Sequence, residues 1–334
     1  MTISAIAPTI SHSSVSGPIA QPIWLLYPSV NFPSTITALA PLLFVCLWAT
    51  GFVGARLGMP YAEPGTFLAL RFAAACALLA GFSFLMGARW PGRADAVHAI
   101  TIGVLLHGVY LGGIFWAVDR GMPAGVAAVI VGLQPLLTAI LAGLFLGETI
   151  TPRHWIGIAF GIAGVCLVIL PGLDLTASGI TWQTVGVTVL AMVCVTLGTL
   201  YQKGVGGRMD IRTSTALQYV GAFIPVALLS AFFETREMNW TVELIIAMLW
   251  SILILSVGAI FLLMWLIRNG SVSKLSAMFF LVPAVAALMT YALFDETLTL
   301  MQLSGMGLCA FAVALVSLKS PASGSRLGNQ AGHP

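Results

Sequence analysis

The sequence predicts an all-α integral membrane protein of ten transmembrane helices, arranged as two inverted five-helix repeats. Three observations predict it. Hydrophobic residues make up 59% of the 334 residues and charged residues only 7%, with a mean hydropathy of +1.01. A soluble domain carries roughly a quarter charged residues, so this chain has too little polar surface to face water but enough to face lipid. Apolar runs of spanning length recur along the chain, and part of the first half reappears in the second at one constant offset.

A spanning helix needs about 20 mostly apolar residues. Such runs predict helices near 35–55, 64–87, 97–117, 123–147 and 153–171, then near 183–203, 213–233, 243–267, 272–294 and 300–318. Residues 1–34 are rich in Ser, Pro, Thr and Ile and hold no Lys, Arg, Asp or Glu. They lack the basic start of a secretory signal and are expected to form a disordered cytoplasmic tail, as is the polar segment 319–334. With the N-terminus inside, only Arg56, Arg120 and Arg236 fall in outer segments and Arg71 falls within a span; the other Lys and Arg residues lie on the inner side. Such an excess of inner basic residues predicts that both termini are cytoplasmic.

The repeat is read from Pro135–Glu148, PLLTAILAGLFLGE, and Pro283–Glu296, PAVAALMTYALFDE, where Pro and Glu keep the same separation. The following residues, ETITPRHWIG and ETLTLMQLSG, align without a gap. A constant offset through two helices and their linker marks a duplication. It divides the chain into repeats at 35–171 and 183–318. Because each repeat holds an odd number of helices, the second copy enters the bilayer inverted, which sets a shared cavity near the midplane.

Other classes are disfavoured. No Lys/Arg run suits nucleic acid. The five cysteines all lie in apolar runs without CxxC or Cys/His spacing, so neither a disulfide framework nor a metal site is indicated. No phosphate loop, HExxH or GxSxG is present. An integral membrane enzyme would need clustered catalytic groups, and a channel would need a ring of like residues around one axis.

Several polar residues fall inside apolar runs. Arg71 lies about seven residues from the outer end of helix 2, roughly 10 Å deep at the α-helical rise. A charge there must face a wet cavity or hold a partner, so it is either an anchor for a substrate carboxylate or phosphate, or a structural clamp on backbone carbonyls or a rim carboxylate. His107 sits mid-helix with Tyr110 one turn along, a candidate proton-coupling or substrate site; a hydrogen bond within the bundle is the alternative. Gln134 and Thr138 bracket Pro135, whose missing amide loosens the helix; they are cavity contacts or interhelical bonds. Thr196 and Thr199 share a stripe of helix 6 with Lys203, lining a pathway or bonding their own backbone. Gln218 aligns with Arg71 across the repeats when one gap is allowed. Trp48, with Phe52 on the same stripe, floors an aromatic pocket or simply packs. Glu148 and Glu296 read as architectural carboxylates beside new helices, with Thr299 and Gln302 forming a capping box. Gly157, Gly161 and Gly164, and Gly108 with Gly112, read as seams for close helix packing.

The stretch LWATGF (Leu47–Phe52), the Arg71-Phe72 pair, AAVIVGLQPLLTAILAGLFLGE (Ala127–Glu148) and LSAMFFLVPAVAALMTYALFDE (Leu275–Glu296) together resemble the drug/metabolite transporter superfamily, specifically its EamA-type ten-helix permeases. The resemblance covers residues 35–318; Ala49-Thr50-Gly51 departs from the Gly-Ser-Asn or Gly-Ser-Ser common in the family. It implies a secondary transporter of the plasma or inner membrane, without a cofactor, exporting a small metabolite that is amino-acid-like or another small amphiphile. The partners it implies are the solute and the lipid bilayer, with protons as the candidate coupling ion. An importer or exchanger of a vitamin, sugar or nucleotide-type solute is the alternative, and both a monomer and a homodimer stay open.

Overall fold

Inside a bilayer an extended backbone has no water to bond, so an apolar chain satisfies its amides by coiling into helices. The computed structural model describes residues 34–134, 136–138, 140–141, 152–173, 179–205, 209–260, 262, 266, 282–295 and 298–317. The architecture described is that of the unit Leu39–Pro334, with the helix that opens it beginning at Ser34. Its helices are α1 (Ser34–Gly58), α2 (Pro64–Leu85), α3 (Arg93–Asp119), α4 (Ala124–Val131), α5 (Pro152–Leu173), α6 (Trp182–Val205), α7 (Ile211–Phe233), α8 (Val242–Ala259), α9 (Val282–Phe294) and α10 (Leu300–Ser317).

Among the described residues five stretches are long and apolar enough to cross a membrane: Pro64–Leu85, Arg93–Asp119, Trp182–Gln202, Ile211–Phe233 and Val242–Ala259. Where the sequence predicts the remaining spans, the described residues hold shorter apolar helices, including Leu42–Gly58, Trp155–Val168 and Leu300–Ala312. The outward faces are greasy: Leu85 is 83%, Phe233 81% and Leu300 80% exposed. Apolar surface on this scale is stable against lipid rather than water. The chain is an all-α multi-pass membrane protein.

Among the described residues two helices depart from the regular α geometry that the sequence predicts. In α3 the segment Val104–Val109 is wound as π-helix, and in α8 so is Trp250–Ala259. The offset that carries Pro135 onto Pro283 carries Val104–Val109 into the span of Trp250–Ala259. Hydrophobic periodicity does not register one extra residue per turn, so neither widening is legible beforehand. π-turns cluster at functional positions.

α2, α3 and α7 pack tightly side by side. Gly103 and Gly221 make this possible: a Cβ added to Gly103 would collide with the Gln218 carbonyl, and one at Gly221 with the Ile100 carbonyl. Gly108, expected as part of a seam, sits where a Cβ would lie 2.5 Å from Pro225 Cγ. The α5–α10 pair uses Gly164, whose added Cβ would meet the Gly305 carbonyl oxygen at 2.7 Å. α10 starts with the expected capping box: the Thr299 amide donates to Gln302 Oε1 at 2.9 Å and the Gln302 amide to Thr299 Oγ1 at 3.2 Å. The α4 helix turns at Gly132 and Leu133 before helical residues resume at Gln134. Pro135, Glu148, Glu296, Trp265 and the Lys203 side chain lie outside the described residues, as do residues 1–33 and 318–334.

At one end of the bundle, the loops before α2 and after α7 exchange carboxylates. Glu234 accepts from the Gly65 amide at 2.6 Å, the Thr66 amide at 2.8 Å and Thr66 Oγ1 at 2.8 Å. In return Glu63 accepts from the Thr235 amide at 3.1 Å, Thr235 Oγ1 at 3.2 Å and the Arg236 amide at 2.6 Å. An antiparallel bridge joins Ala62 to Met238, and the Asn239 amide donates to the Tyr61 carbonyl at 2.8 Å.

Candidate functional site

A cavity of about 180 Å³ opens between α1, α2 and α3 on one side and α6, α7 and α8 on the other. Its position follows from the two widened helices. The π-turn of α3 brings Leu106 and His107 to the wall, and that of α8 brings Leu255. Trp48 and Phe52, one turn apart on α1, supply aromatic surface.

Arg71 reaches the cavity from α2 and is 5% exposed. Its Nε donates to Ser256 Oγ at 3.2 Å, and Ser256 Oγ donates in turn to the Ser251 carbonyl at 2.9 Å within the α8 π-turn. The Ser256 carbonyl accepts the Tyr219 hydroxyl at 3.1 Å. One serine therefore ties α2, α7 and α8 together behind the cavity. Tyr219 is itself sandwiched: its ring lies 5.8 Å from Phe72, nearly parallel, and 5.2 Å from His107. Gln218, beside it on α7, donates to Ser214 Oγ at 3.4 Å. Burial of a guanidinium is costly, and among the described residues this one has one neutral hydroxyl and the Phe72 ring to offset it.

Of the residues singled out from the sequence, Trp48, Arg71, His107, Tyr110 and Gln218 all line this cavity. The other four do not. Gln134 Nε2 donates to Thr199 Oγ1 at 3.3 Å, and Thr138 Oγ1 to the Gln134 carbonyl at 2.8 Å. Thr199 Oγ1 also donates to the Val195 carbonyl at 2.7 Å, and buried Thr196 to the Met192 carbonyl at 2.7 Å. Gln134 and Thr199 thus bond each other, and the three threonines bond carbonyls of their own helices. Tyr219, Gln202 and Thr215 on the wall, and Ser256 behind it, are not singled out by the sequence. Tyr219 was detectable as the aromatic neighbour of Gln218 in the middle of a span. Ser256 was not, because a lone serine in an apolar helix ordinarily bonds back to its own backbone.

Among the described residues no group of three His, Cys, Asp or Glu side chains converges on a point where a metal could sit. What the arrangement can do is hold a small solute between apolar walls, with a few hydrogen-bond donors and one cation to orient it.

Comparison with known proteins agrees. The chain is 28% identical over 277 residues to the uncharacterized inner membrane transporter YedA of Escherichia coli K12, an alignment spanning 81% of this chain and 87% of YedA. It is 27% identical over 279 residues to a probable amino-acid metabolite efflux pump of Salmonella typhimurium, spanning 79% and 89% of the two chains. One solved crystal structure shares the fold with a TM-score of 0.58 at 19% identity, covering 86% of this chain and 98% of the other. The family description EamA-like transporter matches twice, over residues 35–170 and 182–318. With that description fitting both halves, the chain belongs to the EamA-like transporter family of the drug/metabolite transporter superfamily and is a multi-pass membrane transporter.

Proposed function

We propose that the protein is a secondary transporter of the inner membrane that exports a small amino-acid-like or other amphiphilic metabolite by alternating access. In this reading ten spans form two inverted five-helix repeats, both termini are cytoplasmic, and the solute binds in the cavity between them. The observation that carries the proposal is the cavity's double origin. Trp48, Arg71, His107 and Tyr110 come from the first half of the chain, and Gln202, Gln218, Tyr219 and Leu255 from the second. Inverted repeats set their binding sites at such an interface. The paired π-turns at equivalent positions favour the same duplication, and the probable efflux activity of the Salmonella relative favours the outward direction.

In cells overexpressing the protein, a screen of resistance and export across a metabolite panel identifies the solute. Leu111→Trp, which fills the cavity from α3, then lowers export of that solute at least about tenfold with membrane abundance unchanged. Full export by Leu111→Trp would remove this cavity from the pathway. Proton coupling is assigned to His107, the imidazole of the cavity wall. In proteoliposomes His107→Ala therefore abolishes the dependence of transport on a pH gradient while leaving downhill exchange intact; a gradient response equal to that of the natural chain would discard His107 as the coupling group.

A further inference from the structure

Arg71 is the one cation on the cavity wall, and no Asp, Glu or Lys lines it among the described residues. A guanidinium offers five N–H donors. Here Nε is used by Ser256 Oγ at 3.2 Å, and no acceptor among the described residues takes a bond from the two terminal nitrogens. The Phe72 ring, 5.8 Å from the guanidinium carbon, adds only weak cation–π attraction at that range. A side chain 5% exposed thus keeps a full positive charge in an apolar site with its planar fork free. Removing a charge from water without a counterion is strongly unfavourable, and a planar fork is the shape that takes a carboxylate through two parallel bonds.

We propose that the transported solute is a small monoanion, a carboxylate on a planar apolar body, and that Arg71 binds its carboxylate. This deepens the transport reading and rests on it. The rest of the wall restricts the body of the ligand: Trp48, Phe52, Leu111 and Leu255 offer apolar and aromatic contact. Charge balance restricts the head. A dianion such as a phosphate ester would bring a second charge with no second cation among the described wall residues to meet it. A zwitterion would bring an ammonium group to a wall that holds no carboxylate among the described residues, where Gln202 and Gln218 offer only amide oxygens. The site therefore ranks a plain carboxylate above the amino acid of the same skeleton, and both above the amine.

Four probes that share a phenyl-alkyl skeleton separate these cases: 3-phenylpropanoate, its amide 3-phenylpropanamide, L-phenylalanine and phenethylamine. Binding of each to the purified full-length chain is read from the thermal shift in detergent and from quenching of tryptophan fluorescence. Expected is tightest binding of 3-phenylpropanoate, at least about tenfold over the amide, with phenethylamine weakest. Arg71→Gln removes the preference for carboxylate over amide while leaving the amide's affinity in place, and Arg71→Lys keeps part of it. Equal affinity for carboxylate and amide, a lead for L-phenylalanine or phenethylamine, or no binding of 3-phenylpropanoate would each overturn the proposal. Should Arg71→Gln fail to fold, the ranking on the natural chain decides alone. The transport reading is judged separately: a neutral or zwitterionic solute whose export Leu111→Trp blocks would leave the cavity's role standing and sink only its anion preference.

Discussion

Gly103→Ala destabilises the assembled protein by about 1–3 kcal/mol, and Gly103→Leu leaves no folded protein to purify. The reason is the α3–α7 contact. A Cβ at residue 103 would fall on the Gln218 carbonyl, and backbone atoms, unlike the end of a flexible side chain, have no rotamer into which to retreat. The two helices would have to move apart, which would also draw Gln218 and Tyr219 away from His107 on the cavity wall. Gly221→Ala meets the Ile100 carbonyl from the other helix and has an effect of the same size. Gly81 and Gly186 supply the control, because an added Cβ meets nothing within 4 Å at either. Alanine there stabilises the helix by up to roughly 1 kcal/mol, since glycine loses more backbone entropy on folding. Thermal denaturation of the four variants in detergent, followed by size-exclusion chromatography, measures the contrast. Equal melting of Gly103→Ala and Gly81→Ala would show that the seam is not tight.

Different forces set the features of this chain, and only some of them leave a mark on the sequence. The five long apolar helices were legible because lipid imposes a length and a polarity that an apolar run displays. Arg71, His107 and Gln218 were legible as cavity residues because a polar group deep in an apolar helix needs a partner or a wet wall. That argument has no power over a hydroxyl or amide that a neighbouring helix can satisfy. Gln134 and Thr199 bond each other at 3.3 Å, and nothing in their spacing distinguishes that outcome from a cavity contact. Ser256, which holds Arg71, owes its role to a π-turn that shifts it relative to the α-helical stripe, and a pattern with period 3.6 cannot report such a shift. Gly103 and Gly221 show the same limit. The sequence reading named Gly108 and Gly112 as the seam of helix 3 from their spacing, yet the closest approach lies at Gly103, on a face that only the partner helix defines.

Glu234→Ala opens the end of the bundle where α2 and α7 meet. The Glu234 carboxylate sits at the N-terminus of α2, where unpaired amides and the helix dipole favour an anion, and it takes three bonds from Gly65 and Thr66. Glu63 takes three from Thr235 and Arg236, and holds Arg236 in a left-handed conformation at φ 66° that a non-glycine residue rarely adopts. Each carboxylate thus belongs to one half of the chain and its donors to the other, so the pair can persist only while the two halves stay together at this end. Hydrogen bonds to a charged group contribute about 1.5–3 kcal/mol each when buried. These are partly exposed, and a net loss of about 1.4 kcal/mol would already change the closed-to-open ratio tenfold. The measurement is the rate at which a membrane-impermeant maleimide, added from that side, labels Ile114→Cys in a background whose natural cysteines are alanine. Ile114 lines the cavity and is 2% exposed. Glu234→Ala raises the labelling rate about tenfold, and Glu234→Gln, whose amide oxygen still accepts one bond, raises it less. A rate unchanged in both would mean that the exchanged carboxylates brace a permanent joint, and that any opening of the cavity on this side occurs elsewhere.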